Sequence, residues 1–226
     1  MKKLQKIDEI SFPDHPFIKE EDECYFILSY TSHKSYNYSD DNNTIINLKK
    51  TVDKKGTPEY KYKEKAIKQC AEYLMDIDVE NIFSKEITLV PIPPSKCKED
   101  PLYDDRLIQI LKIALGDKID IKELIVQKES TKSVHFTEAR LTIDQIKSNY
   151  KIDDEIKDNI KDTIILFDDV LTTGAHYVAA KEIIAKNFPE KRIIGLFIAR
   201  RVFEEKGDNR TAFDLLKLKL YSKKSE

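Results

Sequence analysis

The chain has 226 residues, of which 40% are hydrophobic and 35% charged, so it is long enough to bury a core under a heavily charged surface. Lys and Arg total 39 against 41 Asp and Glu, a formal charge of −2, and this balance argues against a broad nucleic-acid footprint. No run approaches the roughly 18 apolar residues of a membrane span. The charged start, Met1–Glu9, lacks the apolar stretch of a secretory signal, so a cytoplasmic protein is expected. Cys24, Cys70 and Cys97 are isolated and form no CxxC pair, which argues against both a disulfide framework and a cysteine-rich zinc site.

In chain order, residues 1–23 read as an irregular lead-in and Cys24–Tyr30 as a strand. Thr31–Asn43 is rich in Ser, Asn, Asp and Tyr and reads as a loop, followed by a short apolar segment, Thr44–Leu48. The apolar spacing of Ile67, Cys70, Ala71 and Leu74 predicts a helix over Lys63–Met75. Ile87–Val90 is a buried strand that runs into Pro91-Ile92-Pro93-Pro94. Tyr103–Leu115 repeats the helical pattern until Gly116 stops it. Leu124–Val126 is a short strand, Lys128–Thr137 a polar loop and Glu138–Asn149 a helix. Thr163–Phe167 is a strongly apolar strand, Gly174–Asn187 a helix, Arg192–Ala199 a second buried strand and Asn209–Leu220 a terminal helix. Strands alternating with helices imply βαβ units and a parallel sheet covered on both faces, an α/β fold. Residues 1–60 are expected to form an N-terminal accessory or hood segment, and 61–226 the main domain.

The chemistry concentrates in Thr163–His176. An apolar strand leads into Asp168 and Asp169, then a Thr172-Thr173-Gly174 turn, then a helix. Ligands of open α/β sheets bind beyond the carboxyl ends of strands. A helix start offers N–H groups and a positive dipole end to a phosphate, and glycine lets the backbone come close. Two adjacent carboxylates beside such a cradle suit neutral hydroxyls, such as those of a ribose, while the turn holds its phosphate. A receiver-like acidic pair is the competing reading, but that pair would be expected near the chain start and without Thr-Thr-Gly after it. His15 and His33 lack neighbours in sequence and read as surface residues. Tyr25, Tyr30, Tyr36 and Tyr38 read as packing residues rather than base-stacking ones.

The segment resembles the phosphoribosyl-pyrophosphate (PRPP) motif of type I phosphoribosyltransferases, and the flanking segments are most similar to the ComF-like branch. The resemblance covers roughly residues 60–200 and implies a Rossmann-like parallel sheet of the kind found in that family. By resemblance, Asp168 and Asp169 contact the ribose hydroxyls and an associated Mg²⁺. Thr172, Thr173, Gly174, Ala175 and His176 bind the 5′-phosphate, His176 standing where the family usually has Thr or Ser. Leu89–Lys96, with Pro94, Ser95 and Lys96, resembles the pyrophosphate loop, and Tyr103–Arg106 the aromatic-acidic helix start that follows, with Arg106 implied in catalysis. Lys128–Arg140 corresponds to a closing loop in which Lys132, His135 and Arg140 would contact anions. The Cys-rich N-terminal module of many ComF-like proteins has no counterpart here.

The resemblance implies transfer of phosphoribosyl from PRPP to a small nitrogenous acceptor with release of pyrophosphate. Its alternative is a PRPP-sensing protein that performs no transfer. Arg200–Lys206, beyond the last strand, carries no signature for a base. The first 60 residues are left three roles: a hood, a homodimer surface or a partner module.

Overall fold

The structure is a computed structural model that describes residues 2–77, 86–131 and 141–203. Its centre is a six-stranded sheet built from β1 (Gln5–Lys6), β2 (Cys24–Thr31), β3 (Ile87–Pro91), β4 (Asp120–Ile121), β7 (Thr163–Leu171) and β8 (Arg192–Val202). The spatial order is β1-β2-β8-β7-β3-β4. Only the β1–β2 pairing is antiparallel. A second, two-stranded antiparallel sheet joins β5 (Ile125–Gln127) to β6 (Tyr150–Ile152). The helices are α1 (Asp40–Leu48), α2 (Tyr60–Met75), α3 (Arg106–Leu115), α4 (Ile143–Asn149) and α5 (Ala175–Asn187). The architecture is a Rossmann-like mixed α/β arrangement with a mostly parallel sheet flanked by helices.

Central parallel strands are buried on both faces, so they read as continuous apolar runs whose alternate residues serve two cores. Ile165 and Phe167 of β7 join Leu89 of β3 and Ile45, Ile67, Leu74 and Leu111 from α1, α2 and α3. Ile164 and Leu166 join Val90, Phe197 and the α4 and α5 residues Ile146, Ala180 and Ile184 on the other face. The N-terminal segment belongs to this arrangement. Its β2 is paired along its length with β8, and α1 packs on α2.

Several expected boundaries shift, each for a local reason. The polar run before Thr44 is not all loop: Asp40–Asn43 forms the first turn of α1, because the Ser39 hydroxyl accepts the Asn42 N–H and caps it. β7 does not stop at Phe167 but continues to Leu171, since β8 extends to Val202 and supplies its partners as far as Arg200. The helix expected from Glu138 is described only from Ile143, where Thr142 and Gln145 form a capping box. Asn209–Leu220 lies outside the described residues. Among the described residues, no helix is long and apolar enough to cross a membrane.

The topology places one opening. The chain leaves β3 through α3 toward β4, and leaves the adjacent β7 through α5 toward β8 on the opposite side. Connections that depart in opposite directions from neighbouring strands leave a crevice at their carboxyl ends.

Candidate functional site

That crevice is a cleft of about 370 Å³, a size ordinary for a small-ligand site. Residues from the ends of β3 and β7 and from the start of α3 line it, joined by Lys49 from the end of α1. Among the residues singled out from sequence, Pro94, Ser95, Arg106, Asp168, Asp169, Thr172 and His176 meet there. Thr173, Gly174, Ala175 and Lys96 do not line it. Lys96 pairs with Asp100 at 3.7 Å. Lys132, His135 and Arg140 lie outside the described residues.

The acidic pair sits inside a paired strand rather than past its end, and this makes the two carboxylates unequal. Successive strand residues point to opposite faces. Asp169 follows the Ile165–Phe167 side and meets cations: Arg106 Nη2 at 2.5 Å and Nε at 2.9 Å, and Lys49 Nζ at 3.2 Å. Burial alone would raise its pKa, but Lys49 and Arg106 outweigh this and hold the carboxyl well below the usual range. Asp169 is therefore a buried anion committed to protein partners. Asp168 stays partly exposed in the cleft, its Oδ1 accepting the Asp169 N–H at 2.7 Å. Burial and the like charge of Asp169 push its pKa up to about 7.

The Asp169–Arg106 pair extends into a network that sequence reading missed. Arg106 Nη1 also donates to Asp104 Oδ2 at 2.7 Å, and Lys63 reaches the same oxygen at 2.7 Å. Lys63, only 1% exposed, donates further to the carbonyls of Leu48 and Lys50, where a cation satisfies the open end of α1. A signal was present: Lys63 lies four residues before Ile67, in phase with the apolar stripe of α2, where a lysine needs buried partners. Lys63→Met would leave the Leu48 and Lys50 carbonyls unsatisfied while Asp104 keeps Arg106. A loss of about 2–3 kcal/mol is expected in urea denaturation.

The Thr172-Thr173-Gly174 turn is held from outside by the N-terminal segment. His15 Nδ1–H donates to the Thr172 carbonyl at 2.5 Å, and the Phe17 N–H to the Thr173 carbonyl at 3.0 Å. His15 is fully buried, contrary to its reading as a surface residue, and burial pushes its pKa down to about 4. Gly174 takes φ +91° at the start of α5, and the Ile18 side chain occupies the space a Cβ would need, 2.7 Å away. The glycine here admits a packed isoleucine. Of the four tyrosines, Tyr25 and Tyr30 pack against the core, whereas Tyr36 and Tyr38 are exposed.

The rest of the wall is fixed by loop contacts. Gln127 donates to the Pro94 carbonyl at 2.5 Å, and Thr131 donates to that of Ser95 through its N–H and hydroxyl. Tyr103 donates to Glu123 at 2.5 Å. No protein-family model and no curated protein matches this chain. The chemistry of the lining then carries the reading. Two cations, Lys49 and Arg106, face five carboxylates: Asp104, Asp105, Glu123, Asp168 and Asp169. Such a cleft welcomes hydroxyl groups, and admits a polyphosphate when a cation accompanies it. Among the described residues, no group of three or more His, Cys, Asp or Glu forms a metal cage. Mg²⁺ does not need one, because it binds through one or two carboxylates plus ligand phosphates.

Proposed function

We propose that the cleft binds PRPP with Mg²⁺ and transfers its phosphoribosyl group to a nitrogenous acceptor, releasing pyrophosphate. The observation that carries this reading is the meeting of Asp168, Thr172 and His176 with the Pro94–Ser95 loop in one cleft at the β3/β7 crevice. On this reading Asp168 faces the ribose hydroxyls, and Thr172 and His176 face the phosphate end. Ser95 faces the pyrophosphate. Asp169 positions Arg106 instead of touching sugar. The residues present fit Mg²⁺: Asp168 is a partly exposed carboxylate in the cleft with no cation bonded to it among the described residues, and ligand oxygens would complete the shell. When bound, Mg²⁺ offsets the charge of the pyrophosphate oxygens.

In the transfer, the C1–O bond to pyrophosphate breaks as an acceptor nitrogen bonds C1, the electron pair leaves with pyrophosphate, and the proton of an N–H acceptor passes to solvent. The transition state resembles an oxocarbenium ion, so placement and electrostatics do most of the work. Asp168 supplies negative charge near the sugar, and Arg106 and Lys49 lie on the same wall. One observation favours the non-catalytic alternative: with Asp169 tied to Arg106 and Lys49, a single member of the acidic pair remains for ligand.

Calorimetry with PRPP and Mg²⁺, followed by pyrophosphate release with a panel of nucleobases, separates the readings. Binding with release supports transfer, and binding without release supports a sensor. No binding by the folded protein removes both. Asp168→Asn is the discriminating variant, because Asp169 also holds the fold. A loss of tenfold or more in PRPP affinity is expected, about 1.4 kcal/mol or more. Unchanged affinity would show that Asp168 does not touch the ligand.

A further inference from the structure

His176, the second residue of α5, lines the cleft, and its Nδ1 lies 2.8 Å from the Tyr150 hydroxyl. Tyr150 opens β6, packs against α5 and is 3% exposed, so its ring is fixed by the second core. The two rings are tilted by 39° with centroids 6.4 Å apart, a hydrogen-bonding approach rather than a stack.

A phenol has one proton to donate, and a neutral imidazole carries one N–H and one acceptor nitrogen. Two arrangements satisfy the 2.8 Å contact. In the first, Tyr150 O–H donates to Nδ1, and the imidazole proton sits on Nε2. In the second, Nδ1–H donates to the phenol oxygen, and Nε2 offers a lone pair to the cleft. Among the described residues, His176 Nδ1 is the one hydrogen-bond partner of the Tyr150 hydroxyl. The second arrangement would therefore strand a buried hydroxyl proton, at a cost of about 1–3 kcal/mol. Burial raises the Tyr150 pKa, so the phenol keeps its proton, and a His176 Nδ1 that accepts that proton's hydrogen bond is bare, which leaves the imidazole neutral.

We infer that Tyr150 is a positioning residue that locks His176 in the Nε2–H tautomer, so that His176 presents a hydrogen-bond donor, not a base, to an oxygen of the ligand in the cleft. Nε2 makes no hydrogen bond among the described residues, and the side chain is open to the cleft. This deepens the proposed function and rests on it for the identity of that oxygen, a phosphate. The tautomer itself does not depend on it. The role also accounts for a histidine at a position where a hydroxyl donor would serve.

The test is nitrogen-15 NMR of the ligand-free protein with labelled histidine, which separates protonated from bare ring nitrogens. His176 is expected to show a protonated Nε2 and a bare Nδ1 near neutral pH. The reverse pattern overturns the inference, whether or not PRPP binds. In Tyr150→Phe, the His176 signals are expected to move toward a mixture of tautomers. Affinity for ribose 5-phosphate should fall about fivefold, the size of one hydrogen bond. His176→Gln, whose amide retains a donor, should keep more affinity than His176→Ala. Equal losses in the Gln and Ala variants would also overturn the donor role. A wild-type protein with the expected tautomer that binds no ribose 5-phosphate would sink the phosphoribosyl reading alone.

Discussion

Asp169→Ala is expected to destabilise the protein by about 3–5 kcal/mol, the cost of breaking a buried ion pair by removing one partner. The Asp169 side chain is 4% exposed and that of Arg106 15%, so the guanidinium left behind stays largely desolvated. It would retain Asp104 through one nitrogen, which keeps the loss within that range. Lys49 is 44% exposed and can turn to water, so its share is small. Arg106→Met in the same chain should recover part of the loss, because it removes the stranded charge, and a double-mutant cycle in urea measures the coupling.

The pH dependence has a definite sign. Asp169 has a folded pKa below its ordinary 3.8, so its contribution is present above that value and is lost as pH falls through the folded pKa. The gap between wild type and Asp169→Asn should therefore be full near neutrality and close in acid. Asp168 behaves oppositely. With its pKa raised from 3.8 to about 7, its ionisation costs stability increasingly as pH rises between those values. In ligand-free protein, Asp168→Asn should equal wild type near pH 4 and exceed it at pH 8. Thermal melts at pH 4 and pH 8 check the sign for Asp168, and melts carried well below pH 3.8 check that for Asp169.

Gly174→Ala is expected to cost about 2–5 kcal/mol, from two independent sources. The left-handed backbone at φ +91° costs a residue with a Cβ about 1–2 kcal/mol. The new methyl would also lie 2.7 Å from Ile18 Cδ1 and 2.9 Å from its Cγ1, a clash that must displace the His15–Ile18 segment and costs about 1–3 kcal/mol. Ile18→Ala relieves the second source and leaves the first. The double variant should therefore lose less than the sum of the two single losses. Strict additivity in thermal or chemical unfolding would show that Ile18 does not pack on Gly174. Because His15 and Phe17 hold the Thr172 and Thr173 carbonyls, displacing this N-terminal segment should also weaken ligand binding.

Much of the sheet was legible because central parallel strands are apolar in nearly every residue. Ile87–Val90, Thr163–Phe167 and Arg192–Ala199 stand out for that reason, and the helices α2, α3 and α5 show their stripe or their stop. The meeting of Pro94–Ser95, Arg106, Asp168, Thr172 and His176 in one cleft was also anticipated, through the order of segments around a strand-to-helix turn. Lys63 was legible in principle, as a lysine in phase with an apolar stripe. His15 was not, since its partner, the Thr172 carbonyl, lies 157 residues away.

By itself the sequence determined the principal strands β2, β3, β7 and β8 and the helices α2, α3 and α5, and that an acidic pair precedes a Thr-Thr-Gly turn. Local periodicity and turn chemistry encode both. Only the tertiary structure decided that the two aspartates are unequal. The length of β7 depends on the partner β8 offers, and the pleat then sends Asp169 to Arg106 and Lys49 while Asp168 stays open to the cleft. It likewise decided that Gly174 accommodates Ile18 and that His176 is paired with Tyr150. Those contacts join residues far apart in the chain, and no local pattern records them.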